Sequence, residues 1–225
     1  RALAYLCSAF YKHPQRQMRL VGVTGTNGKT TVSRLIYEIL TRSGVRAGLI
    51  GTTGCIAPSG RMLCESADPN ANMTTPDPEQ LFHMLGRMRD EGVEVVVMEV
   101  TSHALRMGRV APLTFELGIF TNLTPEHMDL HGTMEDYYAA KRSLFAVCRT
   151  AVINADDRYG RRLLSEPLPI HHYHICHADG AQAVISDRIC PAGEGGCTRL
   201  YAEQVRSLGE DGVSFKLTSP HARLR

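Results

Sequence analysis

An α/β fold, with a doubly wound and mostly parallel sheet, is what the order of apolar patterns along these 225 residues predicts. Three observations predict it. Short β-rich runs alternate with helical periods. Two of the runs, "VEVVVMEV" (93–100) and "FELGIFTNL" (115–123), are almost continuously apolar, as strands covered on both faces are. The first run passes through glycines straight into a helical pattern, the arrangement of a phosphate-binding loop.

In chain order, "RALAYLCSAFYK" (1–12) predicts a short helix ending before His13-Pro14, and "MRLVGVTG" (18–25) a strand meeting glycine. After Lys29 the residues Val32, Leu35, Ile36, Ile39 and Leu40 recur with helical spacing, so they predict one apolar helix face, stopped at Gly44. "VRAGLIG" (45–51) predicts the next strand, and residues 52–72, with Gly54, Pro58, Gly60 and Pro69, a loop. A helix is predicted from Pro76 to Glu91, before the apolar strand at 93–100. Following the 115–123 strand, Thr133 and Asp136 form a capping-box-like pair. They open a helix with Tyr137, Ala140, Leu144 and Phe145 inside. "TAVINADD" (150–157) is a further strand. Past about residue 166 the pattern turns to short strands and loops, a small β-rich C-terminal appendage.

Bulk composition narrows the class. With 43% hydrophobic and 21% charged residues the chain has the balance of a globular protein with a real core. A net charge of +2 is too near neutral to argue for nucleic acid or an anionic membrane surface as partner, and no apolar run is long enough for a membrane span. Seven scattered cysteines without a C-x-x-C pair suit a reducing, cytoplasmic setting.

The stretch "VTGTNGKTT" (23–31) carries the first chemistry. Unpaired backbone N–H groups at a helix start, together with the helix dipole, attract phosphate. Gly25 and Gly28 let the backbone approach, Lys29 reaches β- and γ-phosphates, and Thr30 offers a hydroxyl to Mg²⁺. The strict G-x-x-x-x-G-K-[ST] pattern is not met, because position 23 is valine. Glu99 lies at the C-terminal end of an apolar strand, where open parallel sheets take ligands, and a carboxylate there suits Mg²⁺. Asn122, His127, Asp129 and His131 gather before the helix that bears Lys141. "NMTTPD" (72–77) sets two hydroxyls before another helix, as a second anion or substrate turn would.

"GVTGTNGKTT", "TTPD", "MEVTSHAL…GRV", "FTNLTPEHMDLHGTMEDYYAAK" and "AVINADD" together resemble the Mur ligases, and most of all their tripeptide-synthetase branch. The resemblance covers residues from about 5 to 165 and more loosely to 218. It implies an ATP-dependent ligase of peptidoglycan precursor synthesis. Such an enzyme activates the D-Glu side-chain carboxylate of a UDP-muramoyl dipeptide for attack by a diamino acid. Residues 25–31 (Gly25, Thr26, Asn27, Gly28, Lys29, Thr30, Thr31) and Asn122 would bind ATP. Thr30 and Glu99 would hold one Mg²⁺ and His127 a second. Lys141 would carry a CO₂-derived carbamate among the metals, and Thr74, Thr75, Thr101 and Arg109 would contact the dipeptide. Lys29, Lys141, His127 and Glu99 are thus the expected catalytic set. Thr101 and Glu126 stand where serine and aspartate are commoner, each keeping the functional group.

Read this way, residues 1–18 are the tail of an N-terminal UDP-binding domain or a linker, 19–218 the central ATP-binding domain, and 219–225 a truncated connection to a C-terminal domain. The fragment alone is then expected to be nearly inactive. Rival readings are a folylpolyglutamate-synthase-like ligase, a non-catalytic nucleotide-binding scaffold, and a GTPase-like switch suggested by "DLHG" (129–132) but lacking N-K-x-D. The tail residues His171, His172, His174, Cys176, His177, Cys190 and Cys197 raise a zinc site, although their spacing matches no usual finger. His103 and His131 are expected to orient neighbours.

Overall fold

The computed structural model describes residues 1–63, 73–126 and 131–170, and beyond these the backbone of three further strands. The elements are α1 (Ala2–Phe10), β1 (Arg19–Thr24), α2 (Lys29–Arg42), β2 (Ala47–Gly51), β3 (Gly54–Ile56), α3 (Pro78–Asp90), β4 (Val95–Glu99) and α4 (Ser102–Met107). They continue as β5 (Phe115–Phe120), α5 (Met134–Phe145), β6 (Cys148–Asn154), α6 (Arg158–Ser165), β7 (His172–Ala178), β8 (Cys197–Ser207) and β9 (Val213–Thr218).

Among the described residues the strands form a single sheet in the order β3-β2-β4-β1-β5-β6-β7-β8-β9. Only the outermost pairs, β2–β3 and β8–β9, are antiparallel. The expected β-rich C-terminal part is therefore an edge of the main sheet. β7 and β8 continue it in parallel, and β9 alone turns back.

The central strands alternate between two cores, because successive side chains point to opposite faces. Leu20, Ile50, Val96 and Met98 join the larger cluster with α3, α5 and α6. Val21, Val23, Leu49, Val95, Val97 and Ile119 face the smaller one under α2. That two-sided burial is why the runs at 93–100 and 115–123 read as apolar without a break.

Helix α2 departs from the expected face. Tyr37 is the large side chain it buries, its hydroxyl donating to the Ala57 carbonyl at 3.0 Å, with Val32, Ile36 and Leu40 packed around it. Leu35 and Ile39 instead stay 56% and 63% exposed. The helix is rotated so that the Ser33–Tyr37 line faces the sheet.

Helix starts follow their caps. Thr133 Oγ1 accepts from the Asp136 N–H at the head of α5, as the capping-box pair predicts. Asp157 accepts from the N–H groups of Tyr159 and Gly160 at the head of α6. The Leu123 N–H also donates to Asp157, which ties the segment after β5 to the same corner. No helix of the described residues is long and apolar enough to cross a membrane.

Candidate active site

Parallel strands β2, β4, β1 and β5 all end at one edge of the sheet, and their C-terminal loops carry most of the residues singled out above. The loop after β1 is the first component. Gly25 has φ 152°, and a Cβ there would stand 1.8 Å from Thr121 Oγ1, so neither this backbone nor this space admits a side chain. Gly28, with φ 86°, is the N-cap of α2.

The loop is fastened to the end of β5. The Thr26 N–H donates to the Asn122 carbonyl (2.9 Å), and the Asn27 N–H to Asn122 Oδ1 (2.9 Å). Asn122 Nδ2 and Thr121 Oγ1 both donate to the Asn27 carbonyl (3.2 and 2.7 Å). The glycine turn and the start of the 121–131 segment therefore sit together, as a shared nucleotide site requires.

Two lysines meet at this loop. Lys29 Nζ donates to the carbonyls of Gly25 (3.0 Å) and Thr26 (2.8 Å). Lys141 Nζ, from α5, donates to the same Gly25 carbonyl at 2.7 Å. Lys141 is only 1% exposed. Burial and then the nearby charge of Lys29 push its pKa from the usual 10.5 down to about 7, while Glu126 opposes the shift. Lys29 is lowered too, by burial, against the attraction of Glu99 and Glu126.

Glu99 lies across from the loop and is 1% exposed. Its carboxylate accepts from Thr30 Oγ1 (2.9 Å), from the Thr52 N–H (2.9 Å) and from Thr52 Oγ1 (3.3 Å). Among the described residues its direct partners are these neutral donors, and the Lys29 cation attracts it from farther off. Gly51 makes room for it, since a Cβ there would fall 2.2 Å from Glu99 Oε1. A buried carboxylate beside a threonine hydroxyl and a phosphate loop suits Mg²⁺, which takes a few protein oxygens together with substrate phosphates and water. No three His, Cys, Asp or Glu side chains of the described residues form a metal site by themselves.

A hydroxyl cluster adjoins the carboxylate. Thr52 Oγ1 gives its proton to Glu99, so the 3.0 Å contact with Thr74 Oγ1 makes Thr74 the donor there. Thr75 Oγ1 donates to the Glu99 carbonyl (2.9 Å), lies 3.2 Å from Thr101 Oγ1 and accepts from the Thr101 N–H (3.0 Å). Arg109 closes the group, donating to the Thr75 carbonyl (2.9 Å) and pairing with Asp77 (2.9 Å).

Of the anticipated residues, Gly25, Thr26, Asn27, Gly28, Lys29, Thr30, Asn122, Glu99, Lys141, Thr74, Thr75, Thr101 and Arg109 thus meet at one sheet edge. Thr31 does not, and stands exposed in the first turn of α2. His127 and Asp129 lie outside the described residues, as does half of "DLHG". The side chains of the His/Cys-rich tail lie outside them as well. His131 is buried and its Nε2 lies 2.9 Å from Ser102 Oγ, while His103 is half-buried in the first turn of α4. Thr52, Thr121, Ser102 and Tyr137 were not anticipated. For Thr52 the available signal was a hydroxyl straight after a parallel strand.

The Mur ligase middle domain, as a family, matches residues 23–191. The chain belongs to the Mur ligases. Relatives include UDP-N-acetylmuramoyl-L-alanyl-D-glutamate–2,6-diaminopimelate ligases. That of Geobacillus thermodenitrificans is 36% identical over all of this chain and 42% of its own length. That of Chlorobaculum tepidum is 48% identical over 70% of this chain and 30% of its own. This Mur ligase chain spans less than half the length of the curated relatives it matches. A solved structure of a ligase with the same name superposes with a TM-score of 0.71 at 27% identity, covering 97% of this chain and 42% of that one. Escherichia coli FolC shares the Mur ligase fold, with a TM-score of 0.58 at 18% identity over 76% of this chain and 46% of that one.

Proposed function

We propose that the protein is an ATP-dependent carboxylate–amine ligase of peptidoglycan precursor synthesis. Its acceptor is the D-Glu side-chain carboxylate of UDP-MurNAc-L-Ala-D-Glu, and the amine comes from 2,6-diaminopimelate, as the names of its relatives suggest. The observation that carries the reading is Lys141, a lysine sealed against the phosphate loop with its pKa near 7. A surface-helix lysine has no reason to be there. A lysine that must react with CO₂ needs a neutral amine at physiological pH, and burial beside Lys29 provides one.

In this reading the substrate carboxylate attacks the γ-phosphorus of ATP, giving an acyl phosphate and ADP. The amine then attacks the acyl carbon, and phosphate leaves as the amide forms. Carboxylate and triphosphate repel each other, so the chain must supply positive charge. Lys29, the loop N–H groups and the head of α2 hold the phosphate oxygens. Gly25, Thr26, Asn27, Gly28 and Asn122 shape that cradle. Thr30 and Glu99 would hold one Mg²⁺, and His127 with carbamylated Lys141 a second; Mg²⁺ offsets charge on the transferring phosphoryl group. Thr74, Thr75, Thr101 and Arg109 face the muramoyl dipeptide, with Arg109 keeping the "TTPD" turn in place through Asp77. The substrates are cytoplasmic metabolites, so the protein acts in the cytoplasm, and parts of the intact protein beyond these residues complete the UDP and diamino-acid sites.

The intact protein, given ATP, Mg²⁺ and the dipeptide, should release ADP and form tripeptide only when 2,6-diaminopimelate is added, with the product read by mass spectrometry. Turnover on a folate acceptor instead would make it a folylpolyglutamate synthase. ATP binding without turnover on either acceptor would leave a scaffold, and tight GTP binding with ATP excluded would point to a switch.

A further inference from the structure

Residues Tyr137 and Tyr138 are adjacent on α5 and both buried, yet their hydroxyls go to different places. Tyr138 donates to Glu166 at 3.0 Å, in a cluster with Arg142 and Arg162 that fastens α5 to α6. Tyr137 points into the phosphate loop. Its hydroxyl is 3.2 Å from Thr26 Oγ1, and its ring centroid lies 4.6 Å from Lys141 Nζ.

The direction of the first contact follows from counting. A threonine hydroxyl has one proton and two lone pairs. Thr26 Oγ1 donates to the Thr124 carbonyl (3.2 Å) and accepts from the Thr124 N–H (3.0 Å). One lone pair is left, so Tyr137 is the donor to it. The hydroxyl of Tyr137 thus completes the bonding of a loop residue that is itself 5% exposed. The ring is held in turn, stacked on His131 at 4.6 Å and 26°, with His131 bonded to Ser102.

We propose that Tyr137 is a positioning residue for the nucleotide. Through Thr26 it holds the phosphate loop in its receiving shape, and its ring is the surface along which Lys141 reaches the Gly25 carbonyl. Lysine and tyrosine are four residues apart on one helix, so they rise from the same face. A single helix turn thereby sets both the loop and the lysine, and an error in one displaces the other. The inference rests on the reading that this loop binds ATP.

Tyr137→Phe in the intact protein tests it, because the ring stays and only the hydroxyl, which faces Thr26 and also Ser102, is lost. Calorimetric affinity for ATP should fall about three- to tenfold, the worth of one hydrogen bond, and KM for ATP should rise alike while kcat at saturating ATP stays near that of the parent. Tyr138→Phe should leave ATP affinity unchanged. Thr26→Val should weaken ATP at least as much, and adding Tyr137→Phe to it should cost nothing more. Parental ATP affinity in Tyr137→Phe, or additive losses in the double variant, would overturn the proposal even if the melting temperature drops. If Tyr137→Phe does not fold, Thr26→Val against Thr26→Ser decides, since only the serine keeps the hydroxyl and should bind as the parent does. Weaker ATP binding in Tyr137→Phe of a protein that makes no tripeptide would sink the ligase reading and leave this one standing.

Discussion

Burying Lys141 has a cost that depends on pH, and the dependence can be worked out. In the unfolded chain its ammonium holds the proton to the usual 10.5, whereas in the fold it releases it near 7. Between those values the unfolded chain binds more protons, so stability rises with pH across that window. Below pH 7 the penalty is about 4–5 kcal/mol, at 1.36 kcal/mol per pH unit of displacement. By pH 9 it has fallen to about 2 kcal/mol. Lys141→Met keeps the volume and removes the charge. It gives up the bond to the Gly25 carbonyl, worth about 1.5–3 kcal/mol for a charged donor, so the variant should be more stable at pH 7 by about 2 kcal/mol. Urea denaturation in CO₂-free buffer measures both chains, and the advantage of Lys141→Met should shrink by about 2 kcal/mol between pH 7 and pH 9. An advantage that does not change with pH would refute burial of this lysine as a cation, and with it the source of the neutral amine.

Other outcomes follow from the same geometry. Gly25→Ala would drive a Cβ into Thr121 Oγ1, and should cost roughly 2–4 kcal/mol in thermal denaturation while abolishing ATP binding by calorimetry. Glu99→Gln keeps the size and removes the charge, so the Mg²⁺ concentration for half-maximal activity of the intact protein should rise about tenfold or more. Burial pushes the Cys148 thiol up to about 12, so at pH 8 only about one molecule in ten thousand is thiolate. Peptide mass spectrometry should find Cys148 unalkylated by iodoacetamide in the native protein and alkylated in denaturant.

Much of this was legible in the sequence because it is local. A glycine turn between strand and helix, a threonine capping α5, and apolar runs for doubly covered strands all act within a few residues. The orientation of α2 was not legible. Five apolar residues at helical spacing define a broad stripe, but which edge of it faces the sheet depends on Tyr37 finding the Ala57 carbonyl, twenty positions away in the chain. Leu35 and Ile39 fell outside as a result.

The residues missed at the site share one cause, which is strand order. Thr52 meets Glu99 because β2 lies beside β4 with Ile50 opposite Met98, and that register carries the end of β2 to the carboxylate. Nothing near "GTTG" says that its neighbour is a strand more than forty residues later. Tyr137 joins Thr26 for a similar reason, since the fold brings α5 against the loop that follows β1. Parallel sheets with crossover helices bring such distant loops to one edge as a matter of topology. The chemistry-bearing residue types could therefore be picked out one by one, whereas their mutual bonds required the order β2-β4-β1-β5. The same order explains why the glycines at 25 and 51 are needed: Gly25, after β1, leaves room for Thr121 at the end of β5, and Gly51, at the end of β2, leaves room for Glu99 of β4.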